Sequence, residues 1–134
     1  MTGGGDERDL AARVAGGREG VVDLSGRTSF AELAGVLGEA DAVVVANTGP
    51  AHLAAAMGTP VVSLFAPTVP AARWRPWMVR HELLGWQKAP CAGSRARVCP
   101  VPGHPCLTRV TATEAADALD RVARFYGWAE AAAW

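Results

Sequence analysis

The chain has 134 residues, 50% hydrophobic and 19% charged, enough for one globular domain with a real core and not for two. Lys plus Arg and Asp plus Glu number 13 each, so no overall basic excess points to nucleic acid, and binding through a phosphate backbone is excluded as an expectation. The longest apolar run, Leu53 to Phe65, is broken by Gly58, Thr59 and Pro60, and the glycine-rich, charged start from Met1 to Arg13 is no signal peptide; with no transmembrane segment the chain reads as cytoplasmic, peripheral at most to the inner face of the membrane.

In chain order, MTGGGDERDLAARVAGGREG begins with a glycine turn and continues into a predicted helix over Asp6 to Val14, with Leu10, Ala11 and Val14 on one face. Glu7 stands at the start of that helix, where a carboxylate complements the dipole. Val21 to Leu24 reads as a short strand and Ser25-Gly26-Arg27 as its turn. Ser29-Phe30-Ala31-Glu32 fits a capping box, which predicts a helix with Phe30, Leu33, Ala34 and Leu37 as its buried stripe and Gly38 as its stop.

Ala42 to Ala46 is continuously apolar and β-branched at its centre, the composition of a strand buried on both faces of a parallel sheet. Asn47-Thr48-Gly49-Pro50 interrupts it. Gly49 is the expected N-cap, Pro50 the first helical residue, and His52 falls in the first turn. Leu53 to Met57 make a short, small-faced helix, Gly58-Thr59-Pro60 ends it, and Val61 to Phe65 supply the next buried strand. A parallel strand feeding a helix N-terminus aims unpaired backbone N–H groups at the carboxyl edge of the sheet, a place that attracts phosphate or diphosphate. Thr48 offers a hydroxyl there, Gly49 close backbone approach, and His52 a ring N–H. The same turn also occurs in α/β proteins for structural reasons alone.

Ala66 to Trp77 is proline-rich and carries Arg73, Trp74, Arg75 and Trp77, which fit either a ligand clamp or a packed lid. His81 to Leu84 reads as a further strand. Residues 88–108 form a Cys- and Pro-rich loop. Cys91, Cys99 and Cys106 are an odd number without a secretory signal, which argues against a disulfide framework; with His104 they make a weak zinc set, because no C-x-x-C knuckle is present. Thr111-Ala112-Thr113-Glu114 is another capping box, followed by the stripe Ala115, Ala118, Leu119, Val122 and Phe125; Gly127 ends that helix and 128–134 form a tail.

The run ANTGPAHLAAAMGTPVVSLFAPTVPAARWRPW, Ala46 to Trp77, resembles the carboxy-terminal domain of glycosyltransferase family 9, the heptosyltransferase-like enzymes. That family's pattern has an acidic or amide residue, then Thr or Ser, Gly, commonly Pro, any residue and His, an Ala-rich helix, G-T-P and a strand ending F-G-P-T. Here Asn47 stands where Asp is common and Ala66 replaces Gly; an amide keeps the hydrogen bonding and loses the negative charge. DLSGRTSFAEL and APCAGSRARVCPVPGHPCL are similar to two further stretches of the family, the second with Lys88 where a cysteine is frequent.

The resemblance implies an α/β, Rossmann-like three-layer parallel sheet, the carboxy-terminal half of a two-domain GT-B fold, with 1–134 as one nucleotide-sugar-binding domain that begins just downstream of its first strand. It implies inverting transfer of a sugar from a nucleotide donor, ADP-type, to a hydroxyl of a glycan or glycolipid acceptor. Asn47, Thr48, Gly49, Pro50 and His52 would hold the donor diphosphate and sugar, and Glu7, Arg27, Thr28 and Thr68 are candidates for nucleoside contacts. No cofactor is required, the catalytic base is expected on a facing domain, and the chain alone is expected to be inactive. His52 suits neutralising a leaving diphosphate rather than abstracting a proton. Loss of a central strand would leave a sheet edge open to self-association. Two other classes stay open: a non-enzymatic nucleotide-binding module, and an interaction domain built on the Cys/His loop.

Overall fold

The computed structural model describes residues 1–127, and the chain forms two compact units, Met1–Val36 and Leu37–Trp134. In the first, the expected helix from Asp6 opens as a 3-10 turn, Gly5–Glu7, and becomes α1 at Arg8–Ala15. The predicted apolar face is only partly used: α1 buries Ala11, whereas Leu10 and Val14 stay half exposed and border a small pocket of about 160 Å³ with Met1, Thr2 and Glu7. Val21 to Leu24 is not a strand. It is nevertheless paired, since Met1 N donates to Val22 O at 2.7 Å, Leu24 N to Met1 O at 2.9 Å and Gly26 N to Gly3 O at 2.9 Å. These few bonds do not make a regular ladder, which corrects the expectation of a strand.

Arg8 holds the following turn, donating from its Nε to Ser25 O at 3.2 Å and from its guanidinium terminus to Gly26 O at 2.9 Å. Gly26 sits at φ 63°, and a Cβ there would lie 2.7 Å from that Nε, so the S-G-R turn needs its glycine. Helix α2 spans Phe30–Gly38 and starts as the capping box predicts: Ser29 N and Oγ both donate to Glu32 Oε2 at 2.7 Å, and Glu32 N donates back to Ser29 Oγ at 3.3 Å. Hydrogen bonds from Ser29 hold the Glu32 carboxyl below its ordinary value. Phe30, expected in the buried stripe, is 75% exposed. A first-turn side chain points back past the helix start, away from the body of its own helix.

The second unit carries the sheet. Strands β1 (Val43–Ala46), β2 (Val61–Leu64) and β3 (His81–Leu84) are parallel in the order β1-β2-β3, with Val43, Val61 and His81 in register. Between β1 and β2 runs α3, Gly49–Ala56, which lies on both strands with Ala51 and Ala54 buried. Small side chains at those positions allow the close approach that the sequence implies. Leu37 is buried and its carbonyl accepts Thr59 Oγ1 at 2.7 Å, tying the end of α2 to the G-T-P turn.

Helix α6, Ala112–Gly127, begins at the predicted cap, Glu114 N donating to Thr111 Oγ1 at 3.1 Å, and packs on all three strands. Ala118 and Val122 are fully buried against Val62 and Leu84, with Ala115 and Leu119 at the margin, so the predicted stripe is the core. Phe125's side chain and the 128–134 tail lie outside the described residues. The sheet between helices α3 and α6 is the α/β, Rossmann-like arrangement that was expected. No described helix is long and apolar enough to cross a membrane.

One ion pair locks α6 to β3. Arg121 donates through two nitrogens to Glu82 at 2.8 and 2.7 Å, a bidentate geometry. Those hydrogen bonds hold the Glu82 carboxyl below its ordinary 4.5, with the Arg121 and Arg80 charges adding and partial burial opposing. A carboxyl lowered in the fold stabilises it above the unfolded value and loses that contribution as pH falls through the folded one. The urea midpoint of the wild type should therefore drop as pH goes from about 6 to about 3, and Glu82→Gln should flatten part of that drop. Identical pH profiles for the two proteins would show that the pair contributes nothing.

Candidate functional site

The carboxyl ends of β1 and β2 open onto a cleft of about 790 Å³ lined by His52, Pro70, Arg73, Trp74 and Arg95. Its construction follows the chain. After β1, Asn47 N donates to Leu64 O at 3.3 Å, which fixes the turn, and α3 then rises with Thr48 as N-cap, one residue earlier than expected. Thr48 is extended at φ −144°, Gly49 is the first helical residue and Pro50 the second. His52 is exposed on this helix, its ring edge-on to Trp74 with centroids 6.3 Å apart and planes at 62°.

The helix start offers an anion less than the sequence pattern implies. Thr48 Oγ1 turns back to Ala46 O at 3.3 Å, Pro50 has no N–H, and Ala51 N donates to Thr48 O at 3.1 Å. The positive lining of the cleft comes instead from two arginines on the loops beyond β2. Pro70 caps the short helix α4, Ala71–Trp74, which sets Arg73 and Trp74 on the cleft wall. Thr68, a nucleoside candidate, supplies its carbonyl to Arg95 N at 2.8 Å, while Pro67 O accepts from Gly93 N at 2.8 Å. This short pairing carries Arg95, at φ 56°, to the same cleft. Among the described residues no carboxylate lines it.

Of the residues singled out for the diphosphate, His52 alone lines the cleft; Asn47, Thr48, Gly49 and Pro50 form the turn beside it. Glu7, Arg27 and Thr28 belong to the amino-terminal unit. There Glu7 Oε2 accepts Gly4 N at 2.7 Å, the plain capping role, and Arg27 N donates to Leu24 O at 3.0 Å. Sequence reading passed over Arg95. Its only signal is position within a loop rich in arginine, because the pairing with Thr68 links residues far apart in sequence.

The Cys/Pro-rich loop is packed, not irregular throughout. Ala89, Cys91 and Cys106 form a small core with Ala66, Trp86, Val101 and Leu107 against it. Pro105–Thr108 makes one helical turn, α5, with His104 in a left-handed conformation before it. Cys99 Sγ donates to Val101 O at 3.2 Å. Burial first, then the neighbouring Cys91 and Cys99, pushes the Cys106 thiol above its ordinary range. All three cysteines are free, and among the described residues no three His, Cys, Asp or Glu side chains converge to hold a metal ion. Of the suggested zinc set of Cys91, Cys99, His104 and Cys106, Cys91 and Cys106 are buried in an apolar core and Cys99 donates to a carbonyl.

Three comparisons bear on this geometry. A family model described as glycosyltransferase family 9 (heptosyltransferase) matches residues 1–104. Lipopolysaccharide heptosyltransferase 3 of Escherichia coli is 34% identical over 104 residues, covering 72% of this chain and 30% of that protein. Lipopolysaccharide heptosyltransferase 1 of Pseudomonas aeruginosa is 47% identical over 68 residues, 51% of this chain and 19% of that protein. A crystal structure of a family 9 glycosyl transferase from Veillonella parvula superposes with a TM-score of 0.74 at 15% identity, over 92% of this chain and 36% of that one, a likeness of fold. The chain therefore spans a third or less of the length of the curated relatives it matches.

Proposed function

The chain belongs to glycosyltransferase family 9, the heptosyltransferases, and on that premise we propose that its second unit is the donor side of an inverting sugar transfer. The donor is a nucleoside-diphosphate sugar of the ADP type, and the acceptor a glycan or glycolipid hydroxyl of the lipopolysaccharide kind named for its relatives. One observation carries the reading: a cleft at the carboxyl edge of a parallel sheet, lined by His52, Arg73, Arg95 and Trp74 and, among the described residues, by no carboxylate. Two guanidinium forks and an imidazole are donors suited to a diphosphate, and the indole offers a face or edge to a base or sugar.

The role of these groups is charge stabilisation of the departing nucleoside diphosphate. None of them is placed as a general base, a role we assign to a facing domain. Asn47 and Gly49 shape the turn at the cleft's rim, and a Cβ added at Gly49 would meet nothing within 4 Å. Gly49→Val is accordingly expected to fold normally and to weaken ADP binding, measured by calorimetric titration, by about tenfold, because the branched side chain occupies the approach to the turn. Equal affinity of the two proteins for ADP would remove the β1–α3 turn from the site. Absence of any ADP binding by the wild type would sink the donor reading.

A further inference from the structure

We propose that the loop tips at 75–78 and 97–98 form a membrane-docking surface whose partner is the headgroup region of a bilayer containing anionic lipid. The observation is that large apolar side chains stand exposed beside arginines in the chain. Trp77 is 68% exposed, Met78 88% and Val98 83%, and Arg75 and Arg97 beside them are exposed as well. None of these five lines the cleft, so the donor reading has no use for them.

The tips are held outward. Pro76 is fully buried and pins the chain between Arg75 and Trp77. Met78 follows at φ 58°, a left-handed conformation that a long unbranched side chain seldom adopts, and strain of this kind collects where a surface has a use for it. The second tip is tied to the first loop, since Arg95, two residues before Arg97, donates its N–H to Thr68 O and lines the same cleft as Arg73 and Trp74.

Charge settles the class of partner. Between Ala42 and Thr113 the sole Asp or Glu is Glu82, already engaged in its bidentate pair with Arg121, against seven Lys and Arg. The formal net charge of zero is therefore a segregation, with the acids gathered in the flanking segments and a positive middle that presents these tips. An indole resides well at headgroup depth, Met and Val reach the acyl boundary, and guanidinium groups extend to anionic headgroups along their apolar stems. A nucleic-acid groove would need a continuous cationic track with stacking rings along it, whereas here one ring, one thioether and one isopropyl group lead.

The test is sedimentation of the 134-residue protein with phosphatidylcholine vesicles, with and without phosphatidylglycerol. Binding that requires phosphatidylglycerol is expected, falling about tenfold in Trp77→Ser/Met78→Ser and also in Arg75→Gln/Arg97→Gln, while ADP affinity is unchanged in both. Met78→Gly separates docking from folding. Glycine relieves the left-handed backbone, so stability should hold or rise while vesicle binding falls; a structural role for Met78 predicts the reverse. Brominated lipid should quench the tryptophan fluorescence of the wild type, and Trp77→Ser should lose most of that quenching. No binding, binding equal on neutral vesicles, or stronger retention of a single-stranded oligonucleotide by the same side chains would each overturn the proposal. Because Gly49→Val leaves the tips untouched, failure of the donor site and failure of the docking surface give different results.

Discussion

Gly85→Ala should be the most damaging single methyl in the protein, costing about 3 kcal/mol of unfolding free energy. Gly85 follows β3 at φ 126°, a region L-residues avoid, and an added Cβ would sit 2.8 Å from Phe65 O and 2.9 Å from Cys106 O. Both obstacles are backbone carbonyls, and neither is free to move. Phe65 O accepts Gln87 Nε2 at 2.9 Å, while Cys106 O accepts Trp86 N at 2.8 Å. Gly85 is thus the point where the cysteine loop closes onto the end of β2, and widening it breaks both attachments. Against a typical total of about 5–15 kcal/mol, such a loss lowers the urea midpoint severely. Gly93→Ala supplies the comparison. It also has a positive φ, 72°, but a methyl there would meet nothing within 4 Å, so only the conformational cost of about 1 kcal/mol is expected. Equal midpoints for the two variants would show that the close approach at Gly85 is not what holds the loop.

The contrast between those glycines is a contrast in what a sequence can disclose. β1, α3 and β2 were legible because each is specified locally: a β-branched apolar run, a proline admissible only in a first turn, and Gly58-Thr59-Pro60 as a stop. The caps at Ser29 and Thr111 were legible for the same reason, since donor and acceptor lie within three residues. The N-cap of α3 was misplaced by one because Gly49 and Thr48 both qualify, and extended Thr48 takes the role without a side-chain bond to the helix. Val21 to Leu24 failed as a strand because strand formation depends on how a partner is placed, which no local pattern discloses. Phe30 failed as core because a periodic pattern says which face a residue is on and not whether anything covers its end of the helix. Arg95 was invisible because the bonds that bring Gly93 and Arg95 to Pro67 and Thr68 join distant stretches of chain with no periodicity to announce them.

That last residue also supports the sharpest test of the donor site. Arg95→Ala is expected to weaken ADP about tenfold, and Arg73→Ala by a similar factor, since a charge-assisted bond from guanidinium to phosphate contributes about 1.5–3 kcal/mol and an open cleft retains the lower part of that range. Arg95→Lys should not restore the affinity, because a single ammonium cannot present a planar fork to two phosphate oxygens. The readout that identifies the bond is a comparison of ligands. If the arginines face the diphosphate, both alanine variants should bind ADP less well and bind adenosine as the wild type does, whereas Trp74→Ala should weaken both ligands through loss of the aromatic wall beside His52. Folding is not at stake: Arg73 and Arg95 are exposed, and Arg95 is held to its loop by the backbone N–H that alanine keeps. A wild-type response of Arg95→Ala to ADP would move the diphosphate away from this loop and return it to the α3 start, where Pro50 and the Thr48–Ala51 bond leave few amides to receive it. Titrated side by side, Gly49→Val and Arg95→Ala tell whether ADP depends on the turn, the loop or both.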